Sequence, residues 1–349
     1  MSERIGLLTG GGDCPGLNAV IRAIVRKSVD FYNYKVIGFL GGWRGIMEME
    51  YSALDRSRIA GILPRGGTII KTSRTNPIKE KGGQEKIEDN FRKLKLAALI
   101  AVGGEDTLGV AKVLYERGLP IVGVPKTIDN DLSGTDYTFG YDTAINIAME
   151  AVDRVHTTAE SHNRVMVVEV MGRHTGWIAL GAGLAGGADV ILIPEKPFDI
   201  EKICEIIISR HSKGRDFSIV VVAEGAKFKA APGSEEKLVL QKEEKDEFGH
   251  VYLGGIGNLV AEEIQKRTGF ESRVVILGHI QRGGSPTAFD RVLATRYGIA
   301  AIDMVHDKNF GKMTALRGTR IVAIPLSEAV GGLKLVSEDF YQVAETFFG

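Results

Sequence analysis

The stretch from Ala101 to Asp136, AVGGEDTLGVAKVLYERGLPIVGVPKTIDNDLSGTD, decides the fold. It holds two strand-to-turn junctions in quick succession. In the first, the apolar run LAALIAV breaks at Gly103-Gly104, and Glu105, Asp106 and Thr107 then open a helix. In the second, LPIVGV breaks at Pro125 before Lys126, Thr127, Asp129 and Asp131. In an open parallel sheet, ligands gather beyond the carboxyl ends of the strands, so residues following two neighbouring strands share one crevice. Four carboxylates and one ammonium would then stand together, which is costly unless a cation or a phosphate balances them. Phosphate with magnesium is the first chemistry this stretch raises.

The same rhythm extends on both sides. Upstream, Ile5–Thr9 is a short apolar run followed by Gly10-Gly11-Gly12-Asp13 and then by Leu17, Val20, Ile21, Ile24, Val25 and Val29 at helical spacing, which predicts one face buried on a sheet. Strand, glycine loop and helix can cradle a phosphate on free N–H groups, or can be no more than a tight turn. The loop is neither a Walker loop nor a GxGxxG fingerprint. A strand is expected at 35–40, and Arg65-Gly66-Gly67-Thr68 precedes a loop in which Arg74 either grips a phosphate or is a solvated arginine. The run KEKGGQEKIED reads as a solvated turn and helix start.

Downstream, Ile145, Ala148, Met149, Val152 and Val155 mark an amphipathic helix over 142–160. Strands are expected at 165–170, 189–193, 218–223, 273–277 and 320–324, and helices at 255–267 and 288–305. Several of these strands end in glycine turns with charge, as at Met171-Gly172-Arg173-His174-Thr175-Gly176, Glu224-Gly225 and Gly278-His279-Ile280-Gln281-Arg282-Gly283-Gly284. Short apolar runs alternating with longer helical segments predict a doubly wound α/β architecture. Residues 226–250, rich in Lys and Glu, interrupt it and read as an exposed insertion.

The totals bound the rest. At 349 residues the chain exceeds the usual size of one core, which predicts two lobes. Lys+Arg and Asp+Glu balance at 44 each, so nothing in the net charge draws it to nucleic acid or an anionic membrane. Cys14 and Cys204 lie far apart without metal or redox spacing, the N-terminal apolar run is too short for a signal peptide, and no window suits a membrane span, so a cytoplasmic protein is expected.

Taken together, GGGDCPGLNAVIR, RGGT, GGEDT, PKTIDND, MGRHTGW, AEG and LGHIQRGGSP stand in the order found in the 6-phosphofructokinase family, which the chain resembles from Ile5 to about Ile324. The resemblance implies two doubly wound, Rossmann-like α/β/α lobes with mostly parallel sheets. Residues 1–140 with about 281–331 would form the phosphoryl-donor lobe, and 141–280 with about 332–349 the sugar-phosphate lobe. Within the family, GGEDT and PKTIDND resemble the pyrophosphate-using branch. ATP-using members usually have glycine at the positions of Asp106 and Lys126. A carboxylate and a butylammonium chain would fill the room of the ATP α-phosphate and nucleoside, and Lys126 would neutralise the leaving phosphate. The alternative is that Asp106 caps its helix and Lys126 points to solvent.

The resemblance also implies roles. Asp129 is the base acting on the 1-hydroxyl of fructose 6-phosphate, with Asp106, Lys126 and Arg173 completing the catalytic set. Gly12, Arg74 and Thr107 bind the donor. Thr127, Met171, Gly172, Arg173 and Glu224 bind the sugar phosphate, and Arg164, Arg273, His279 and Arg282 take its 6-phosphate. Glu105 holds magnesium, directly or through water, and Asp131 is the second candidate ligand. The expected partners are fructose 6-phosphate, pyrophosphate and a second copy of the chain in a dimer or tetramer, with Arg164 and Arg273 supplied across the interface. An ATP-dependent enzyme and a non-catalytic regulatory subunit are the alternatives, and a retained Asp129, Arg173 and GGEDT speak against the second.

Overall fold

The computed structural model describes residues 2–229, 240–245 and 251–349. In chain order the strands are β1 (Arg4–Thr9), β2 (Lys35–Phe39), β3 (Tyr51–Leu54), β4 (Leu96–Gly103), β5 (Ile121–Pro125), β6 (Val165–Val170), β7 (Val190–Leu192), β8 (Ser218–Ala223), β9 (Leu240–Lys245), β10 (Val251–Leu253), β11 (Ser272–Ile276), β12 (Lys312–Arg317) and β13 (Arg320–Pro325). The described residues divide into two compact units. The first runs to Thr143 and adds Arg282–Leu333; the second takes the described residues from Ala144 to Gln281 and ends with Lys334–Gly349.

The first unit is built on a seven-stranded sheet in the order β13-β12-β5-β4-β1-β2-β3. Its five inner strands are parallel, and β3 and β13 run antiparallel at the two edges. Alternate residues of a strand face opposite sides, and here both sides are buried. Leu8, Ile37, Phe39, Leu99 and Ala101 pack with Ile87 and Phe91 of the helix Gly83–Lys93 and with Leu108, Ala111 and Leu114 of the helix Glu105–Glu116. Their alternates Leu7, Val36, Ile100 and Val102 are buried too, on a sheet that the paired helices Leu17–Phe31 and Ala288–His306 also cover. Strands covered on both faces read as near-continuous apolar runs, as LAALIAV does.

The second unit has a four-stranded, wholly parallel sheet in the order β11-β6-β8-β7. Val165, Val167, Val190, Val220 and Val222 meet Ile203 and Ile207 of the helix Ile200–Ser212 and Ile256, Val260 and Ile264 of the helix Ile256–Thr268. Against the other face lies the helix Trp177–Ala185, close enough that a Cβ on Gly183 would stand 2.8 Å from Ile191. The architecture is α/β with mostly parallel sheets.

The structure revises some details. Val29, expected on the buried face of its helix, is 36% exposed. In the helix Tyr141–His162 the stripe runs Ala144, Ala148, Val152, Val155 and Ala159, with Ile145 and Met149 only half-buried at its margin. The run KEKGGQEKIED is not wholly solvated, because Ile87 is fully buried and anchors its helix. The insertion expected as exposed at 226–250 does not begin so: Ala226 is fully buried and Phe228 packs against the core of the second unit. Residues 230–239 and 246–250 lie outside the described residues, and β9 pairs antiparallel with β10. No described helix is long and apolar enough to cross a membrane.

Candidate active site

In the first unit β1, β4 and β5 lie side by side, so the turns after them converge. Gly10 and Gly103 end two of these strands without side chains, and Thr107 fills the space: a Cβ on Gly10 would stand 2.5 Å from its Oγ1. Thr107 is 2% exposed. The helix Glu105–Glu116 begins after Gly104, which has no side chain to cap it, and carries Glu105 and Asp106 in its first turn. The helix after the glycine loop also starts on a glycine, Gly16, at φ 110. Two helix N-termini without side-chain caps at their N-cap residues favour anions here.

Lys126 does not point to solvent. It is 5% exposed, and its Nζ donates to the Gly12 carbonyl at 2.6 Å. Burial, helped by the Arg282 charge, holds its pKa below the ordinary lysine value, while Asp129 and Asp13 pull the other way. Gly12 itself is closely covered, since a Cβ there would stand 2.5 Å from Arg282 Nη1. The glycine loop is laced to the loop of Arg74: Gly11 N donates to Ser73 O at 3.0 Å, and Thr72 Oγ1 donates to Gly11 O at 2.6 Å. Arg74, the residue after Thr72 and Ser73, is half-buried.

The turn Thr127–Asp131 is held by its neighbours. Asp129 N donates to Thr127 Oγ1, Thr138 Oγ1 donates to Thr127 O at 2.7 Å, and Thr138 N donates to Asn130 Oδ1 at 3.1 Å. Asn130 takes a left-handed φ of 52, which asparagine tolerates better than most residues. Asp129 and Asp131 flank it, both half-buried. Burial, together with the charges of Asp129 and Glu105, pushes the Asp131 carboxyl up to about 7.

That shift has a consequence for stability. An acid whose folded pKa is raised is disfavoured once ionised, so its contribution is intact below the unfolded value near 4 and is lost as pH rises through 7. Asp131→Asn is expected to raise the stability of the metal-free protein by on the order of 2 kcal/mol at pH 8, after allowing for partial exposure, and to change little at pH 4. Thermal melts of the two proteins at both pH values check this; an equal effect at both sinks it.

Glu105, Asp129 and Asp131 supply hard oxygen donors. Among the described residues no group of three or more His, Cys, Asp or Glu side chains could by itself hold a metal. Magnesium keeps several waters and takes one or two carboxylates plus substrate phosphates, so this donor set fits magnesium brought in with a phosphorylated substrate.

In the second unit, the ends of β6 and β8 bring another group together. Gly225 N donates to Gly172 O at 3.0 Å, and any side chain on Gly225 would collide with the Arg173 carbonyl. Gly172, at φ 141, requires glycine. Met171 is buried, with its N–H donating to Gln281 Oε1 at 3.3 Å, while Arg173 and Glu224 are half-buried. At the opposite ends of the strands, Arg164 and Arg273 both pair with Glu271, the former at 2.9 Å, and this holds the Glu271 carboxyl below its usual range. His279 is exposed on the short 3-10 helix Gly278–Arg282.

Gly12, Glu105, Asp106, Thr107, Lys126, Thr127, Asp129, Asp131, Arg74 and Arg282 therefore belong to the first unit, and Met171, Gly172, Arg173, Glu224 and His279 to the second, where Arg164 and Arg273 stand apart from them at the other ends of the strands. Arg282 falls with the donor group although resemblance pairs it with His279. Sequence reading missed the residues that hold these turns. Asn18, 1% exposed, donates to Arg65 O and Gly66 O and accepts from Ile69 N, so it fixes RGGT to the first helix. Asn130 and Thr138 do the same for TIDND, and a buried asparagine between two aspartates was the available signal.

A family model described as phosphofructokinase matches residues 4–305. The chain is 58% identical over 347 residues to the pyrophosphate--fructose 6-phosphate 1-phosphotransferase of Streptomyces coelicolor, covering 99% of this chain and 100% of that protein. It is 53% identical over 342 residues to ATP-dependent 6-phosphofructokinase 3 of the same organism, covering 98% and 99%. The crystal structure of the pyrophosphate-dependent phosphofructokinase from Nitrosospira multiformis matches with a TM-score of 0.83 at 19% identity, over 100% of this chain and 91% of that one, a likeness of fold. On the span of the family match and the end-to-end identity to these relatives, the chain belongs to the phosphofructokinase family.

Proposed function

We propose that this protein catalyses reversible, magnesium-dependent transfer of a phosphoryl group from pyrophosphate to the 1-hydroxyl of fructose 6-phosphate. The observation that carries the choice of donor is Lys126, buried with its ammonium 2.6 Å from the Gly12 carbonyl of the glycine loop. An ammonium fixed there, beside a helix that opens on Glu105 and Asp106, matches a short, highly charged donor and takes up the room of a nucleoside. Relatives of both donor types are more than half identical to the chain, so overall similarity does not choose between them, and the reading rests on Lys126 and Asp106.

Phosphoryl transfer is mostly positioning and charge neutralisation. In this reading Asp129 takes the proton of the attacking hydroxyl, Lys126 steadies the leaving phosphate, and Arg173 steadies the group in flight. Gly12, Thr107 and Arg74 line the donor phosphates. Thr127, Met171, Gly172 and Glu224 orient the sugar, while Arg164, Arg273, His279 and Arg282 hold its 6-phosphate, with Arg164 and Arg273 reaching the site of a second copy. Glu105 and Asp131 would hold magnesium, which supplies charge neutralisation between the donor phosphates.

Purified protein with fructose 6-phosphate, magnesium and either pyrophosphate or ATP tests the proposal. Fructose 1,6-bisphosphate is expected with pyrophosphate, at a rate at least about 100-fold above that with ATP, and a chelator should abolish it. The ATP-dependent reading rests on the 53% identical relative, and turnover with ATP alone would establish it instead.

A further inference from the structure

We infer that Asp290 is a positioning residue for the phosphoryl donor, fixing from the start of the helix Ala288–His306 the corner Phe139–Gly140 on which both the glycine loop and Lys126 rest. The inference rests on the reading above, in which that loop and Lys126 hold the donor. Asp290 is fully buried. One carboxylate oxygen accepts from Gly140 N at 2.9 Å, and the other from Thr143 N at 2.8 Å and Thr143 Oγ1 at 2.6 Å. These amides open the helix Tyr141–His162, so the carboxylate also meets the positive end of a helix dipole. Its own helix start is tied in, because Asp290 N donates to Thr287 Oγ1, which donates in turn to Asp142 Oδ2 at 2.6 Å.

The corner touches the donor region at three points. Cys14 Sγ donates to the Phe139 carbonyl at 3.6 Å, and a Cβ on Gly140 would stand 2.6 Å from that sulfur. The Phe139 ring covers Gly16, where a Cβ would stand 2.6 Å from the ring. The Phe139 backbone also pairs in parallel with Lys126. Moving Phe139–Gly140 therefore moves the far end of the glycine loop and the base of the Lys126 side chain together. Burial lifts the Asp290 carboxyl to about 6, against the pull of the bonds from Thr143 and Gly140. A buried carboxylate kept at such a cost and spent wholly on one corner is what a positioning role requires.

The test compares Asp290→Asn and the milder Thr143→Val with Asn90→Ala, which removes a buried amide bonded to Ile46 O and Met47 O and serves as a destabilised control. Both test variants are expected to raise KM for the donor about 10-fold or more while changing KM for fructose 6-phosphate less than about 2-fold, and Asn90→Ala should do neither. If Asp290→Asn fails to fold, Thr143→Val decides. Both constants rising together, neither rising, or the control behaving like the test variants overturns the inference. Wild-type protein that turns over ATP but not pyrophosphate would sink the donor reading alone, and the Asp290 question is then read on the KM for ATP.

Discussion

Lys126→Met is expected to lower kcat/KM for pyrophosphate about 100- to 1000-fold, or ~3–4 kcal/mol of transition-state stabilisation. Methionine matches the lysine side chain up to Cε and lacks only the nitrogen, so what disappears is the ammonium that faces Gly12. KM for fructose 6-phosphate should hardly move. The substitution also leaves the Gly12 carbonyl without its donor, so melting temperature is measured alongside, and a loss of turnover in protein that stays folded at the assay temperature separates lost chemistry from lost structure. The companion change of Asp106 and Lys126 together to glycine should weaken pyrophosphate use in the same direction. Undiminished turnover of pyrophosphate by either protein would remove the argument for the donor.

The second large effect belongs to Asp129→Asn. The amide fits the same half-buried turn but takes no proton, and kcat should fall about 1000- to 10,000-fold with both KM values nearly intact. A further reading distinguishes this from local unfolding. The Asp129 charge is one of the causes that raise the titration of Asp131, so in Asp129→Asn the Asp131 carboxyl should titrate at lower pH, measurable by NMR of a labelled carboxyl. A loss of less than about 10-fold in kcat would take the role of base away from Asp129.

Much of this was legible in the sequence because local and global signals agreed. Buried parallel strands such as LAALIAV and VMVVEV announce themselves as apolar runs, and the glycines after them mark where a backbone must turn. β12 was not legible. Its sequence KMTALR carries charge at both ends, and its burial arises from pairing with β13 and from two residues of β5 far away in the chain. The helix Trp177–Ala185 hid in WIALGAGLA because its glycines read as breakers, although Gly183 is small for the sake of Ile191. The C-terminal helix Glu338–Glu345, capped by Ser337, was missed because it is short, and of its apolar positions Tyr341 and Ala344 are buried while Val343 is exposed.

In the site, residue types that do chemistry stood out, and residues that hold them still did not. Asn18, Asn130, Thr138 and Asp290 carry no reactive signature; their meaning comes from amides that approach them only in the folded chain. Thr107 shows the opposite confusion. It lies in a motif of site residues, yet its side chain also fills the gap left by Gly10 and Gly103, a packing role the sequence does not reveal.

Glu271, shared by Arg164 and Arg273, has one further implication. Two guanidinium groups that would otherwise repel are kept near each other by an internal anion, which acts as a placeholder. In the proposed reading, a phosphate arriving at them need not draw two scattered cations together; it would exchange with a carboxylate that has already done so. Affinity at such a place is then set by the difference between two anions rather than by the full attraction of either, which favours quick release as much as capture, a property suited to the reversible transfer proposed above.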